Sequence, residues 1–184
     1  PPQCEGVCRN GAKCVETVEP DGTGGYTLTC CCKGDDLAID LTTGVDDVTG
    51  APIAPGQRDD TWDLQYDTNV GYEPPAPTWV VSPFSSWMTI PGSQWISFDP
   101  NGNSSGPEGY YSYTSCFCLK NGFGSVSLSG LLRADNEAQV FVNGNLIAAT
   151  PLDTSFSTLT PTPFTTTNPL FFHDGPDNCI EVVV

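Results

Sequence analysis

Residues 138–149 read Ala-Gln-Val-Phe-Val-Asn-Gly-Asn-Leu-Ile-Ala-Ala. Two apolar runs flank Asn143-Gly144, and this dipeptide is the strongest short hairpin signal in the chain. Asn and Gly tolerate best the positive φ angles that both central residues of a tight hairpin turn require. The stretch therefore predicts two strands, 138–142 and 146–149, joined by such a turn.

The rest of the chain also shows short alternating segments between turn residues. It contains 19 glycines and 17 prolines, and no apolar pattern of helical period is longer than two turns. Further strands are predicted at 62–66, 78–81, 94–98, 110–119, 126–132 and 179–184. We therefore expect an all-β fold, an antiparallel β-sandwich of jelly-roll or immunoglobulin-like type. Four tryptophans offer large fillers for the space between two sheets: Trp62, Trp79, Trp87 and Trp95.

Six of the nine cysteines lie within the first 32 residues. This density indicates an oxidising compartment, in which disulfides stabilise a segment too small to bury a core of its own. We expect a small disulfide-rich head over residues 1–34, a turn-rich connector over 35–60 and a β domain over 61–184. Nine is odd, so at least one cysteine is free or pairs with another chain. The partners of five cysteines stay open: Cys31, Cys32, Cys116, Cys118 and Cys179.

The charge of the chain limits its partners. Six basic and 22 acidic residues give a net charge of −16, which repels nucleic acid phosphates and anionic lipids. No apolar run approaches the ~20 residues that span a bilayer. The chain begins at Pro1 without a signal peptide, as expected of a processed secreted protein. We expect an extracellular protein, secreted or on the cell surface, that binds neither nucleic acid nor membrane.

The residues that could carry catalysis do not form a known constellation. His173 lies beside Asp174, but no Gly-x-Ser-x-Gly nucleophile motif accompanies them. Glycoside hydrolysis needs two carboxylates held across a cleft, and the acidic pairs of this chain lie in the turn-rich connector. Zinc would need three or four N/S ligands, which the cysteine run at 30–32 does not provide. The expectation is that the protein is not an enzyme.

Two oxygen-rich turn clusters are weak calcium candidates, because hard cations take carboxylate and amide oxygens. One comprises Asp135, Asn136 and Glu137, and the other comprises Asp174, Asp177 and Asn178. Neither has the spacing of an EF-hand, and a solvated acidic surface is the favoured alternative. No cofactor is therefore expected, with calcium kept as the open possibility.

Two segments have the composition of glycosylated chains. Asn103-Ser-Ser is an N-glycosylation sequon in a Gly/Pro-rich loop. Residues 150–169 are dense in Thr and Pro, which suits O-glycans or a stiff extended loop.

The connector contains a candidate donor strand. Leu37, Ile39 and Leu41 alternate with polar or small residues, which predicts a strand over 36–42 with one apolar face. About twenty residues of turn-rich loop follow it, enough to reach a neighbouring molecule. The sequence leaves open whether this strand pairs in cis with its own domain or in trans with a second copy. The last strand ends on three valines, which favours an open edge or groove for β-augmentation.

The head resembles an EGF-like module. The segment Cys8-Arg-Asn-Gly-Ala-Lys-Cys14 resembles the Asn-Gly turn between its second and third cysteines, and residues 26–34 resemble its minor hairpin. The resemblance implies disulfides between Cys4 and Cys14 and between Cys8 and Cys30. Cys31 is additional to that pattern, and the last cysteine of the module is missing.

The C-terminal region resembles β-sandwich domains of secreted bacterial proteins, including those of helical surface fibrils. The motifs that carry it are Trp95-Ile-Ser97, Ser127-Leu-Ser-Gly130, Ala134-Asp-Asn136 and Val140-Phe-Val-Asn-Gly144. The resemblance implies a structural subunit whose partners are copies of itself, joined by donated N-terminal strands. The "ADN…VFVNG" element is also similar to galactose-binding-like modules. The alternative is therefore a carbohydrate-binding or adhesive module, with Tyr110, Trp87 and Trp95 as candidate sugar-stacking residues.

Overall fold

The computed structural model describes residues 13–20, 26–33, 39–46, 49–67, 76–102, 108–119, 122–151 and 155–184. For residues 13–20, 26–33, 66–67 and 176–177 it describes the backbone alone. The predictions on Cys4, Cys8, Leu37 and Asn103 lie outside the described residues. Those on the side chains of Cys14, Cys30 and Asp177 do so as well.

The expected all-β class is confirmed. Within the described ranges the only helical element is a single 3-10 turn, Pro169–Phe171. The strands are β1 Lys13–Pro20, β2 Tyr26–Lys33, β3 Arg58–Asp67, β4 Ala76–Val81, β5 Trp95–Ser97, β6 Tyr111–Leu119, β7 Leu128–Leu132, β8 Gln139–Val142, β9 Asn145–Ala149, β10 Thr162–Thr166 and β11 Gly175–Val183.

Seven strands form one antiparallel sheet in the order β5-β4-β3-β6-β11-β8-β9. Its central pair, β6 and β11, alternates along each strand, as a sheet with two different faces requires. Tyr111, Tyr113 and Phe117 of β6 belong to the apolar clusters on one face, together with Ile180 of β11. Tyr111, Tyr113 and Phe117 share this face because alternate residues of the strand predicted at 110–119 point to the same side.

A two-stranded sheet of β7 and β10 packs against that apolar face. Leu128 and Leu132 of β7 and Phe164 of β10 contact the cluster around Tyr113. The strand β10 falls in the Thr/Pro-rich segment that was expected to be a loop, and Pro163 lies within it. Proline is compatible with a strand where its missing N–H is not needed for the ladder. Residues 162–166 therefore form a strand, although their Thr/Pro composition is typical of a loop.

The head contributes one antiparallel hairpin, β1–β2, in which Cys14 lies opposite Cys32 and Glu16 lies opposite Cys30. Residues 26–33 are therefore the second strand of a hairpin whose first strand is β1. The strand β2 approaches β6 and β11 of the large sheet.

A cross-strand disulfide joins the central strands. Cys116 of β6 and Cys179 of β11 are register partners, and they are covalently bonded. Cys118, two residues further along β6, is also in a disulfide. The structure thus places all three C-terminal cysteines in disulfides. The sequence alone does not assign partners to these cysteines.

The predicted hairpin turn is confirmed at Asn143-Gly144, whose φ angles are 46° and 77°. The Asn143 side chain also reaches the neighbouring strand: its Oδ1 accepts from the N–H of Cys179 at 2.8 Å, and its Nδ2 donates to Asn178 at 3.1 Å. The amide of Asn178 is fully buried. It accepts from the His173 N–H and donates to the carbonyls of His173 and Gly175. This network fixes the turn, the 3-10 segment and the start of β11 to one another.

We predict that Asn178→Ala destabilises the protein by roughly 3 kcal/mol, because partly buried backbone groups of His173 and Gly175 lose the buried side chain that bonds them. Chemical denaturation gives the free energy of unfolding. Gln139→Ala, at an exposed position of β8, is the control and should change it by less than about 0.5 kcal/mol. Equal effects of the two substitutions would contradict the role of the network.

We predict that replacing Cys116 and Cys179 together by alanine costs on the order of 4 kcal/mol, from the loop entropy of a 63-residue separation. The measurement is urea denaturation of the double variant against the wild type. Peptide mapping without reductant should show the two cysteines in one cross-linked fragment. Recovery of free thiols at both positions would contradict the assignment.

Candidate functional site

The main feature of the molecule is a large groove between the seven-stranded sheet and the β7–β10 sheet, here called the interlayer groove. It encloses about 1130 Å³, which exceeds the ~300–1,000 Å³ of pockets that hold drug-sized ligands. Its floor is the apolar face of the large sheet. Floor residues include Trp62, Tyr113, Ile180, Val182 and Val184.

Among the described residues, the second layer has too few strands to cover the first. Two strands, β7 and β10, lie over a sheet of seven. Side chains of the floor such as Val182 and of the opposite wall such as Leu132 consequently remain half-buried. A large concave surface lined in part by apolar side chains is a candidate binding site.

The described part of the candidate donor segment, residues 39–42, lies in this groove. Ile39 and Leu41 line it, and both pack against the cluster around Phe117. The predicted strand is not formed by residues 39–42, which carry no ladder. Among contacts with other described parts of the chain, their hydrogen bond is that of the Trp62 indole N–H, which donates to the Leu41 carbonyl at 3.0 Å. The described part of the segment is thus held in cis by apolar contact and lacks a strand partner.

From Thr43 onwards the connector is fixed to its own domain. The Gln94 N–H donates to the Thr43 carbonyl at 2.9 Å, and the Thr43 hydroxyl donates to the Gln94 carbonyl at 2.6 Å. The Gln94 side-chain amide donates to the carbonyls of Gly44 and Ile53. The connector predicted from its turn residues is thus bonded to the domain over its described residues after 42. It folds back on itself, as the bridge between Val45 and Pro52 also shows.

Gly44 is required where the connector meets the sheet. Its φ is +71°, and a Cβ at this position would lie 2.5 Å from the Gln94 Cβ. Its N–H donates to Asp59 Oδ2 at 2.7 Å. Only glycine permits both the left-handed backbone and this close approach.

Asp59 is a fully buried carboxylate at the start of β3. Burial raises the pKa of Asp59, against the opposing effect of the hydrogen bonds from Gly44 and Thr61. The sequence offered no signal for this role, since Asp59-Asp60 has the form of one more solvated acidic pair. Gln94 was likewise predicted only as a strand residue.

An aromatic cluster lies at the rim of the groove. Trp87 and Trp95 face each other with ring centroids 4.4 Å apart, and Phe84 meets Trp87 edge-on at 5.0 Å. The Trp95 indole donates to the Met88 carbonyl, and the Trp87 side chain bonds to Asp135. Two of the three proposed stacking residues are thus engaged with each other, while Tyr110 is 65% exposed.

The structure describes the side chains of the calcium candidates other than Asp177. Partial burial raises the pKa of Asp135, and the hydrogen bond with Trp87 opposes this rise. Asp174 accepts from the Gly122 N–H, and Asn178 is committed to its backbone network. Among the described residues, no group of three or more His, Cys, Asp or Glu side chains is arranged to hold a metal ion. The exposed His173 contributes its backbone to the Asn178 network.

Within the described ranges no helix is long and apolar enough to cross a membrane.

We predict that Asp59 makes the protein less stable as the pH rises. Its folded pKa lies above the ordinary value of 3.8, so between these two pKa values the folded state binds more protons than the unfolded state. Stability from this group is complete below 3.8 and is lost as pH rises through the folded pKa. Denaturation of wild type and Asp59→Asn between pH 3 and 8 isolates this contribution. The free energy difference between them should shift in favour of Asp59→Asn as pH increases, and a constant difference would refute the assignment.

Comparison with known proteins finds no match to this chain among protein-family models, curated proteins or solved structures.

Proposed function

We propose that this protein is an extracellular structural subunit that assembles with copies of itself into a fibril by strand donation. The observation that carries the proposal is the interlayer groove together with what occupies it. A seven-stranded sheet faces a layer of two strands, and the chain's own Ile39 and Leu41 line the partly covered apolar groove without forming a strand. In this proposal the architecture is a β-sandwich, of jelly-roll or immunoglobulin-like type, that a donated strand completes.

The groove and the segment are complementary in chemistry. Leu37, Ile39 and Leu41 recur at every second position, so a strand over 36–42 presents all three on one face. Their burial gains ~1.5–3 kcal/mol each before the cost of ordering the segment. A strand also brings backbone N–H and C=O groups that sheet edges can pair. In trans, donation adds this ladder to apolar contacts of the type that the cis segment already makes.

The hydrogen bonds of Thr43 and Gly44 define where the segment leaves its own domain. Residues from 43 onwards are held by Gln94 and Asp59, whereas Leu41 has one hydrogen bond from Trp62. The donor is therefore residues 36–42 pivoting at Thr43, and it does not need the connector to unfold. Exchange replaces apolar contacts in one copy with similar contacts in the next.

The disulfides support the extracellular assignment. Cross-strand disulfides such as Cys116–Cys179 persist in oxidising compartments and are rare in the cytosol. In the proposed fibril, the head carries the predicted Cys4–Cys14 and Cys8–Cys30 pairs.

The second candidate is a carbohydrate-binding or adhesive module. Exposed Tyr110 and the Trp87–Trp95 pair at the groove rim favour it. The two functions separate by size and by ligand: a fibril subunit sediments as a polymer, whereas a lectin-like module stays small and binds glycan arrays.

We predict that Ile39→Asp gives a folded monomer that does not polymerise, because a carboxylate cannot enter the apolar groove without a large desolvation cost. The measurements are analytical ultracentrifugation and negative-stain microscopy of the full chain. Leu159→Asp makes the same chemical change at a side chain that is 87% exposed, and this control should form fibrils like the wild type. Fibrils of Ile39→Asp, or a wild-type chain that stays monomeric at high concentration, would refute strand donation.

A further inference from the structure

We infer that the donated strand pairs with the free edge of β7. This inference rests on the proposed strand donation and specifies the surface that receives the strand. The two-stranded sheet has two outer edges, and they differ in surroundings. The outer edge of β10 lies next to β9 of the large sheet. The outer edge of β7 faces the interlayer groove, which every residue from Leu128 to Arg133 lines.

The position of Pro163 shows which backbone groups point into the groove. Pro163 lies opposite Leu131 in the register of β7 and β10, and proline has no N–H to exchange. Leu131–Pro163 is therefore a non-hydrogen-bonded pair, and alternation makes Ser129–Thr165 another. The N–H and C=O groups of Ser129 and Leu131 consequently point away from β10. They form a row at the spacing of two strand residues, about 6.8 Å.

The apolar side chains of the donor repeat at the same two-residue spacing. A strand placed along β7 directs one face towards the floor, beside Leu128 and Leu132, which already pack on the core cluster. Between them Gly130 has no side chain, and the Phe164 ring occupies the space that a Cβ would fill. The wall next to the donor is thus apolar along its whole length.

The other edge that borders the groove, that of β5, is already partly used. The carbonyl and N–H of Val80 bond to Gly56 and Gln57, so the pair Val80–Ile96 is not hydrogen-bonded within the sheet. The outward groups of this edge therefore belong to Gln94 and Ile96. Those of Gln94 are taken by Thr43 of the same chain. Of these two edges, that of β7 is the one left open over a complete strand by the described residues.

The test is Ser129→Pro with Thr165→Pro as its matched control. The two residues face each other in one pair, both are exposed, and neither N–H takes part in the β7–β10 ladder. Ser129→Pro removes an N–H from the groove edge, while Thr165→Pro removes one from the opposite edge. We expect Ser129→Pro to lower the affinity for a synthetic peptide of residues 36–42 at least tenfold and to abolish fibrils. Thr165→Pro should behave like the wild type in both assays.

The possible outcomes separate a failure of the proposed β7 edge from a failure of the proposed strand donation. Normal fibrils of Ser129→Pro, with Ile39→Asp still defective, overturn the β7 edge and leave strand donation standing. Failure of the wild type to polymerise and to bind the peptide overturns both. If Ser129→Pro does not fold, hydrogen exchange of the wild type decides: the amides of Ser129 and Leu131 should exchange at least tenfold more slowly in fibrils than in monomers. Unchanged exchange there overturns the inference.

Discussion

The pairing of β6 with β11 is the interaction on which the rest of the structure depends. These strands lie in the middle of the seven-stranded sheet, with β3 on one side and β8 on the other. Their common face supplies Tyr113 and Ile180 to the core, and their opposite face contains the Cys116–Cys179 bond. The hydrogen bonds of Asn178 hold the first part of β11 against the β8–β9 hairpin turn. The strand pairing, the disulfide and the Asn178 hydrogen bonds together hold the floor of the groove in place.

The second layer is the opposite case. Within the described residues it consists of two strands, β7 and β10, and it leaves the outer edge of β7 and half-buried leucines facing the groove. The apolar face of the large sheet is only partly covered by β7 and β10. An incoming chain can therefore still gain free energy by burying apolar surface there. Long exposed edges are usually avoided since they invite aggregation. In the proposed fibril, such an edge pairs with one defined partner, the donated strand of the next copy.

The sequence was sufficient for the elements whose signals are local. Asn143-Gly144 forms the turn that its φ requirements predict, and the alternation of residues 110–119 places Tyr113 and Cys116 on opposite faces. The strand β10 was missed because Pro163 and its threonines resemble loop composition, and only the register with β7 shows that the missing N–H is not needed. Local signals cannot show which backbone groups a neighbour leaves free.

The site was predictable in its parts and not in its assembly. Ile39 and Leu41 were identified from their alternation, but Asp59 and Gln94 carry no local mark of their role. Each acts through a partner 15 or 50 residues away in the chain, Gly44 in both cases. Such contacts depend on the closed fold and on the absence of a Cβ at residue 44.

The anchoring of the connector changes the geometry that strand donation can have. A free loop of about twenty residues would let neighbouring subunits sit at variable distances. With Thr43 fixed to Gln94, the donor is limited to the seven residues 36–42, which span about 24 Å as a strand. The receiving groove must then lie next to the point of exit, so that adjacent subunits touch. A short tether of this kind fixes both the spacing and the orientation of successive subunits, as a regular helical fibril requires.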